Sequence, residues 1–284
     1  MRSLLAHAVV PFFLVAMLLG ARWLQQQGVP SLLVTPLVVG PFAALAAGLE
    51  RLWPDRAAHR PFDQPLWIEV AHFLFSFEVG YGLALAACAL LGRAVHAAVA
   101  QPLWPVGLGL WAQVALAVLL QEATSYWQHR LIHRVPGLFR FHALHHSGER
   151  LNLVRVTRFH AVDIATASFI AYVPLVVLSA PEDVVTLLAV LLSGLGMIQH
   201  ANLRARTPAW LDWLMCTPAV HRHHHSRARP ESDTNFGTTV MLFDVLFGTY
   251  GRPAPCGPAA TGNERDPVPR GFWPQVAAPF AKGR

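Results

Sequence analysis

The sequence predicts an all-α, polytopic membrane protein. About four helical spans and a helical hairpin are expected, with a histidine-rich helical cap on the cytoplasmic side. Three observations predict this. Hydrophobic residues make up 54% of the 284 positions and charged residues only 13%, about half the charged fraction usual in a soluble domain. The mean hydropathy is +0.39. Apolar runs approaching the roughly 20 residues needed to cross about 30 Å of hydrocarbon recur from the N-terminus to His200.

The first run, Leu4–Gly20, has the basic start and small residues of a signal peptide. The chain after it is more hydrophobic helix rather than a secreted domain with paired cysteines, so a retained helix is expected. Further spans are expected at Ser31–Leu49, Trp67–Leu91 and Val106–Trp127. Ile164–Ala180 and Val184–His200 are separated only by Pro181-Glu182-Asp183 and form a tight hairpin. Its arms are short, leaving open a dip into the membrane instead of two full crossings. The tryptophans and phenylalanines near span ends suit an aromatic belt. This divides the chain into a transmembrane bundle (1–127), a histidine-box catalytic region (128–250, including the membrane hairpin 164–200) and a Pro/Gly-rich tail (251–284). The tail is expected to be loosely ordered.

Orientation comes from arginine bias. Segment 129–158 carries Arg130, Arg134, Arg140, Arg150, Arg155 and Arg158 against Glu149. Segment 201–229 carries Arg204, Arg206, Arg222, Arg227 and Arg229 against Asp212. The opposite connections hold Arg22, Arg93, Glu182 and Asp183. The histidine side is therefore expected to be cytoplasmic, in the inner membrane of a bacterium or the ER of a eukaryote, with both termini on that side. The net charge of +6 suits anionic lipid headgroups, and no nucleic-acid motif is present. Cys88, Cys216 and Cys256 lack CxxC spacing, which argues against a disulfide framework or a thiolate cluster.

Eight of fifteen histidines fall into three boxes: His129/His133, His142/His145/His146 and His221/His224/His225. On a helix, residues three and four apart share a face, so each box is expected to aim its imidazoles one way. Imidazole is the commonest ligand for iron, zinc and copper. Eight exceed the needs of one tetrahedral ion, so the count points to two metal ions close together and to redox or hydrolytic chemistry. A single histidine near a membrane interface usually makes only a hydrogen bond or a headgroup contact. Eight packed at this spacing need a compensating cation. His223 falls off the stripe of its box and is left out of the ligand set. Glu122 precedes His129 by two helical turns on the same face, placed to orient a ligand imidazole.

Two rival classes share some of these features. A metal transporter places ligands near mid-membrane on discontinuous helices, whereas these boxes lie in arginine-rich segments. A b-type haem protein needs one or two facing histidines per haem, not clustered triplets.

In pattern and order the boxes resemble the fatty acid hydroxylase / sterol desaturase superfamily, with HxxxH, HxxHH and a distal HxxHH. Pro136-Gly137-Leu138-Phe139-Arg140-Phe141-His142 is similar to its approach to the second box. Arg158-Phe159-His160 looks like RxHPxE, with Ala161 for Pro and Asp163 for Glu. Gln199-His200-Ala201-Asn202 looks like QHxN, Thr217-Pro218 precedes the last box as is usual, and Asp233-Thr234-Asn235-Phe236-Gly237 and Phe243-Asp244-Val245-Leu246-Phe247-Gly248-Thr249 look like the NYG and WDxxFGT endings. The resemblance covers about 121–250.

It implies an integral-membrane oxygenase with two Fe ions, to which zinc is an alternative in recombinant material, and with O2 as oxidant. A lipid, sterol or fatty-acyl C–H bond becomes an alcohol or an alkene. It adds His160 and His200 as ligands, making ten imidazoles and five per metal. Asn202, Asn235 and Asp244 come with the motifs as residues behind the ligands. Arg155 and Arg158 are candidates to grip an anionic lipid headgroup. With no GxGxxG fingerprint and no HPGG element, electrons are expected from a separate reductase, ferredoxin or pterin.

Overall fold

In the computed structural model, residues 2–55, 65–99, 101–254 and 257–281 are described. The chain is all-helical; among the described residues, β-structure is limited to isolated bridges. Among the described residues, five helical stretches are long and apolar enough to cross a membrane: Ala6–Gln26, Ser31–Leu52, Leu66–Ala98, Ala161–Leu178 and Glu182–His200. They belong to α1 (Arg2–Gln26), α2 (Ser31–Leu52), a continuous unit made of α3 (Leu66–Ala71), a π-helical turn and α4 (Glu78–Ala98), α7 (Ala161–Leu178) and α8 (Glu182–His200). Both hairpin arms thus have the length and composition of spans.

The expected fourth span is not among the five. Its segment lies within α5 (Leu110–Arg134), which is long enough but carries Gln113, Gln121, Glu122, His129 and His133 among its buried residues. Those polar groups lower its hydropathy, and most of their polar atoms are hydrogen-bonded inside the protein, as helices at membrane depth require. Trp104 Nε1 donates to Gln113 Oε1 at 2.8 Å, for example, and Gln121 Nε2 donates to Ser125 Oγ at 2.8 Å.

Packing is driven by one apolar cluster. Val10, Phe13, Met17 and Ala21 of α1, Val34, Val38 and Ala46 of α2, and Val184, Leu187 and Leu188 of α8 share it. Many large apolar side chains, including Phe12, Leu19, Leu33, Leu37, Phe75, Leu83 and Leu90, point outward, as expected of surfaces meeting lipid. The same cluster takes in Cys88 of α4 and Tyr172 and Leu175 of α7. A Cβ on Gly80 would collide with the Ala161 carbonyl oxygen and with Ile164 Cγ2, so a small residue there lets the two helices approach. Prolines inside α1, α2 and α7 are tolerated as they are in membrane helices.

Two of the site-bearing helices are short and well delimited. Pro136 opens α6 (Pro136–His146) at its first turn, where the missing N–H costs nothing. Thr217 caps α10 (Pro218–His224), which also begins with proline. Arg222 fixes α10 by donating to Asp55 Oδ2 (2.7 Å) and to the Ala201 and Leu203 carbonyls (2.9 and 3.0 Å). The tail, expected to be loosely ordered, is docked over its described part. Gln275 of α13 (Phe272–Ala277) meets His72 Nε2 at 2.8 Å through its Oε1, and Arg265 donates to the His133 carbonyl at 2.5 Å. Side-chain hydrogen bonds supply the anchorage that composition does not reveal. Cys88 and Cys216 are buried free thiols; Cys256 lies outside the described residues.

Candidate metal centre

Among the described residues, nine buried imidazoles converge in two groups. His129, His133, His142, His146 and His224 form one; His145, His200, His221 and His225 form the other. In each group, one nitrogen per ring lies within 4.8 Å of all the others. The division cuts across the boxes. His129/His133 and His142/His146, each four apart, enter the first group, and His221/His225, also four apart, enters the second. The remaining members, His145 and His224, cross to the opposite group. Adjacent residues of a helix diverge by about 100°, so each His-His doublet feeds both groups. The expectation that every box aims one way is corrected accordingly. Between the groups, the rings of His146 and His225 stack with centroids 4.3 Å apart.

The hydrogen bonds fix which nitrogens face inward. A carbonyl only accepts, so an imidazole nitrogen bonded to one carries the proton. His129 Nδ1 donates to the Phe236 carbonyl, His224 Nδ1 to the Thr234 carbonyl and His200 Nδ1 to the Gly196 carbonyl, each at 2.8 Å. His142 Nδ1 meets the buried Asp163 carboxylate at 2.8 Å, and His133 Nδ1 meets Asp233 at 3.4 Å. The Nε2 atoms of neutral His129, His224 and His200 are therefore bare lone pairs. Yet Nε2 of His129 stands 3.2 Å from that of His142 and 3.1 Å from that of His224. In the second group, His200 and His221 are 3.1 Å apart, His221 and His225 3.1 Å, and His200 and His145 3.4 Å. Nitrogens bound to one first-row metal at about 2.0–2.1 Å sit roughly 2.9–3.4 Å apart. Nε2 of His133 and of His146 are buried with no hydrogen-bond partner. Burial, reinforced by neighbouring imidazoles, holds His145, His146, His221, His224 and His225 well below the ordinary histidine range. Neutral rings with converging lone pairs fit metal ions.

A polar loop supports the first group from behind. Glu122 accepts the N–H groups of Thr238 (2.8 Å), Thr239 (2.6 Å) and Val240 (3.2 Å). Asp244 accepts those of Phe236 (2.9 Å) and Gly237 (2.6 Å), and the Thr249 hydroxyl at 2.7 Å. Asn235, in the left-handed region at φ 57, exchanges two 2.8 Å hydrogen bonds with the Gly251 backbone. The loop so held presents the Thr234 and Phe236 carbonyls to His224 and His129. Glu122 thus supports His129 and His224 through the loop and not, as expected, by touching an imidazole. Asn202 is placed otherwise: its backbone N–H donates to Glu50 Oε1 at 2.5 Å, and Glu50 also accepts from Leu153 N–H at 2.9 Å.

Three expected site residues lie elsewhere. His160 stands outside both groups. Its Nδ1 accepts the Val162 N–H at 3.1 Å, capping α7, and its Nε2 donates to the Val276 carbonyl at 3.1 Å. Arg158 and Arg155 are buried, at 2% and 3% exposure, facing the interior and not the headgroups. Arg158 donates to Glu69 Oε1 at 2.8 Å, and Arg155 lies 3.6 Å from the same oxygen. A buried guanidinium needs a counter-ion, and Glu69 supplies it. His223, left out of the ligand set, lies outside both groups. Sequence reasoning passed over Asp163 and Asp233 as partners of His142 and His133. Their signals were present: Asp163 fills the acidic place of the RxHPxE-like element, and Asp233 opens the NFG-like one.

Comparison with known proteins adds to this geometry. Residues 114–249 match the family model for fatty acid hydroxylases. The chain is 35% identical over 252 residues to an ornithine lipid hydroxylase of Rhizobium tropici, covering 85% of this chain and 74% of that protein. It is 33% identical over 125 residues to alkylglycerol monooxygenase of Homo sapiens, covering 44% of this chain and 27% of that one. It is 24% identical over 160 residues to a very-long-chain aldehyde decarbonylase of Oryza sativa subsp. indica, covering 52% and 25%. No solved structure matches the chain.

Proposed function

The chain belongs to the fatty acid hydroxylase family and is a membrane-bound lipid oxygenase; on that premise we propose that it hydroxylates a membrane lipid with O2 at a pair of iron ions held by the two histidine groups. The observation that carries this reading is the convergence of five and four buried imidazoles into adjoining clusters. When bound, the metal pair supplies O2 reduction and oxidation of an unactivated C–H bond. His129, His133, His142, His146 and His224 would hold one ion, and His145, His200, His221 and His225 the other.

The chain's own residues do the rest. Asp163, Asp233 and the carbonyls of Phe236, Thr234 and Gly196 hold ring protons on Nδ1 and keep Nε2 free to coordinate. A cleft of about 380 Å³ reaches His146 and is lined by Arg227, Ser232, Asp233, Asn263 and Arg265 among others. It gives the site a polar approach, which suits an external one-electron donor and a lipid whose polar end faces water. Arginine bias supports placing that side in the cytoplasm. Hydroxylation is favoured over desaturation because the relatives named above include a hydroxylase and a monooxygenase, and an ornithine lipid is the first substrate to test.

The test pairs metal analysis with lipid profiling. Purified protein is expected to hold about two irons per chain without haem absorbance. Cells expressing it are expected to accumulate a lipid heavier by one oxygen. A product lighter by two hydrogens would turn the reading to desaturation. Metal flux in vesicles with no O2-dependent product would sink it.

A further inference from the structure

We propose that Tyr126 and Trp127 form a redox relay that carries oxidising equivalents from the metal centre to the protein surface when no lipid is in place. The proposal rests on the oxygenase reading above. Tyr126 lies in α5, one turn before His129, and is fully buried. Its ring centroid is 6.3 Å from that of Phe236, in an edge arrangement. Phe236 in turn lies 5.9, 5.4 and 6.1 Å from His129, His133 and His224. On the other side, Tyr126 is 5.3 Å from Trp127, which is 49% exposed. An unbroken run of rings therefore leads from three ligand-type imidazoles to solvent-accessible indole.

The hydrogen bonds around the phenol suit oxidation. Arg130 NH1 donates to the Tyr126 oxygen at 2.9 Å. The Thr249 hydroxyl stands 2.9 Å from the same oxygen and donates its single proton to Asp244 Oδ1 at 2.7 Å. Thr249 is thereby committed, so the phenol proton must point at Thr249. The order is Arg130 to Tyr126 to Thr249 to Asp244, ending on a carboxylate. Burial raises the Asp244 carboxyl above its ordinary value, which favours proton uptake. Asp244 also accepts the Phe236 N–H, and the Phe236 carbonyl accepts from His129. A hydrogen-bonded path therefore runs beside the ring path. A tyrosine needed only for packing has no use for a directed proton chain.

Tyr126 gives one electron to the oxidised metal centre. Its phenol proton passes to Thr249 as the Thr249 proton passes to Asp244, leaving a neutral tyrosyl radical. Trp127 returns an electron to Tyr126, which recovers its proton by the reverse shift. Trp127 is then refilled by a one-electron reductant at the surface. The Arg130 guanidinium, 5.4 Å above the indole, disfavours a cationic tryptophan. The longer-lived species is therefore the tyrosyl radical.

The test uses full-length, iron-loaded protein in detergent, mixed with reductant and O2 in the absence of lipid and freeze-quenched for EPR. A tyrosyl signal is expected that narrows when the protein carries ring-deuterated tyrosine and is lost in Tyr126→Phe. Trp127→Phe should fold, form product normally and prolong the signal several-fold. In Tyr126→Phe, mass spectrometry should find several-fold more oxidised histidine in the peptides bearing the boxes. If wild type shows no tyrosine-derived radical while iron is bound and lipid product forms, the relay is refuted and the oxygenase reading stands. The relay is equally refuted if the signal and the histidine oxidation are unchanged by either substitution. Protein that binds no redox metal would overturn both.

Discussion

Replacing Asp163 by alanine tests the two histidine groups separately through one hydrogen bond. The carboxylate is 1% exposed and meets His142 Nδ1 at 2.8 Å, and His142 belongs to the five-histidine group alone. Without it, the imidazole N–H is left buried and unpaired, which costs about 1–3 kcal/mol. Loss of such a partner typically weakens metal binding about 10–100-fold, or roughly 1.4–2.7 kcal/mol at 1.36 kcal/mol per decade. The assay is competition between protein and a chelator for Co(II), read by absorbance in detergent. Wild type should bind two equivalents. Asp163→Ala should bind one with near-normal affinity and the second about 10–100-fold more weakly. Asp163→Asn should fall between, since its amide oxygen can still accept. Equal weakening of both equivalents, or none, would refute the assignment of His142 and Asp163 to one site.

Neighbouring histidines offer a sharper contrast: His224→Ala should deplete the five-histidine group and His225→Ala the four-histidine group, giving different residual cobalt spectra, and both should abolish lipid hydroxylation. Identical spectra would show that the doublet does not divide. Gly80→Ala should lower the thermal midpoint by several degrees, because its Cβ meets the Ala161 carbonyl, which cannot move aside without shifting α7. A midpoint equal to that of wild type would mean that the helices part freely. Metal-free protein should lose stability in acid. His145, His146, His221, His224 and His225 are held well below their ordinary value of 6.5 by burial, so below about pH 6.5 the unfolded chain binds protons that the folded one refuses. Each such histidine contributes a loss of about 1.4 kcal/mol per pH unit until the folded-state value is reached. A thermal midpoint that stays flat from about pH 8 to pH 5 would contradict this.

What the sequence made legible was local. The i, i+3 and i+4 spacing named eight converging imidazoles, and the QHxN-like element added His200. The apolar runs located five membrane-length helices. Long-range pairing was not legible. Arg158 reads as positive-inside charge until Glu69, 89 positions away, is found beneath it. His160 and His200 both sit at hairpin boundaries, and spacing cannot tell the cap of α7 from a ligand on α8. The splitting of His145 from His146 depends on how α6 and α10 face each other. The polar content of the segment expected to span from Val106 to Trp127 has the same origin: Gln121 and Glu122 pair with Thr238 and Thr239, more than 110 positions away. The tail was misread because proline and glycine content says nothing of Gln275 reaching His72.

The two His-His doublets also bear on how the centre fills. One peptide unit separates His145 from His146, and another separates His224 from His225. An ion seated in either group therefore orders the helix turn that serves the other. Order imposed by a first ion would then ease binding of a second, a modest coupling carried by the backbone on top of the affinity that each histidine group has by itself.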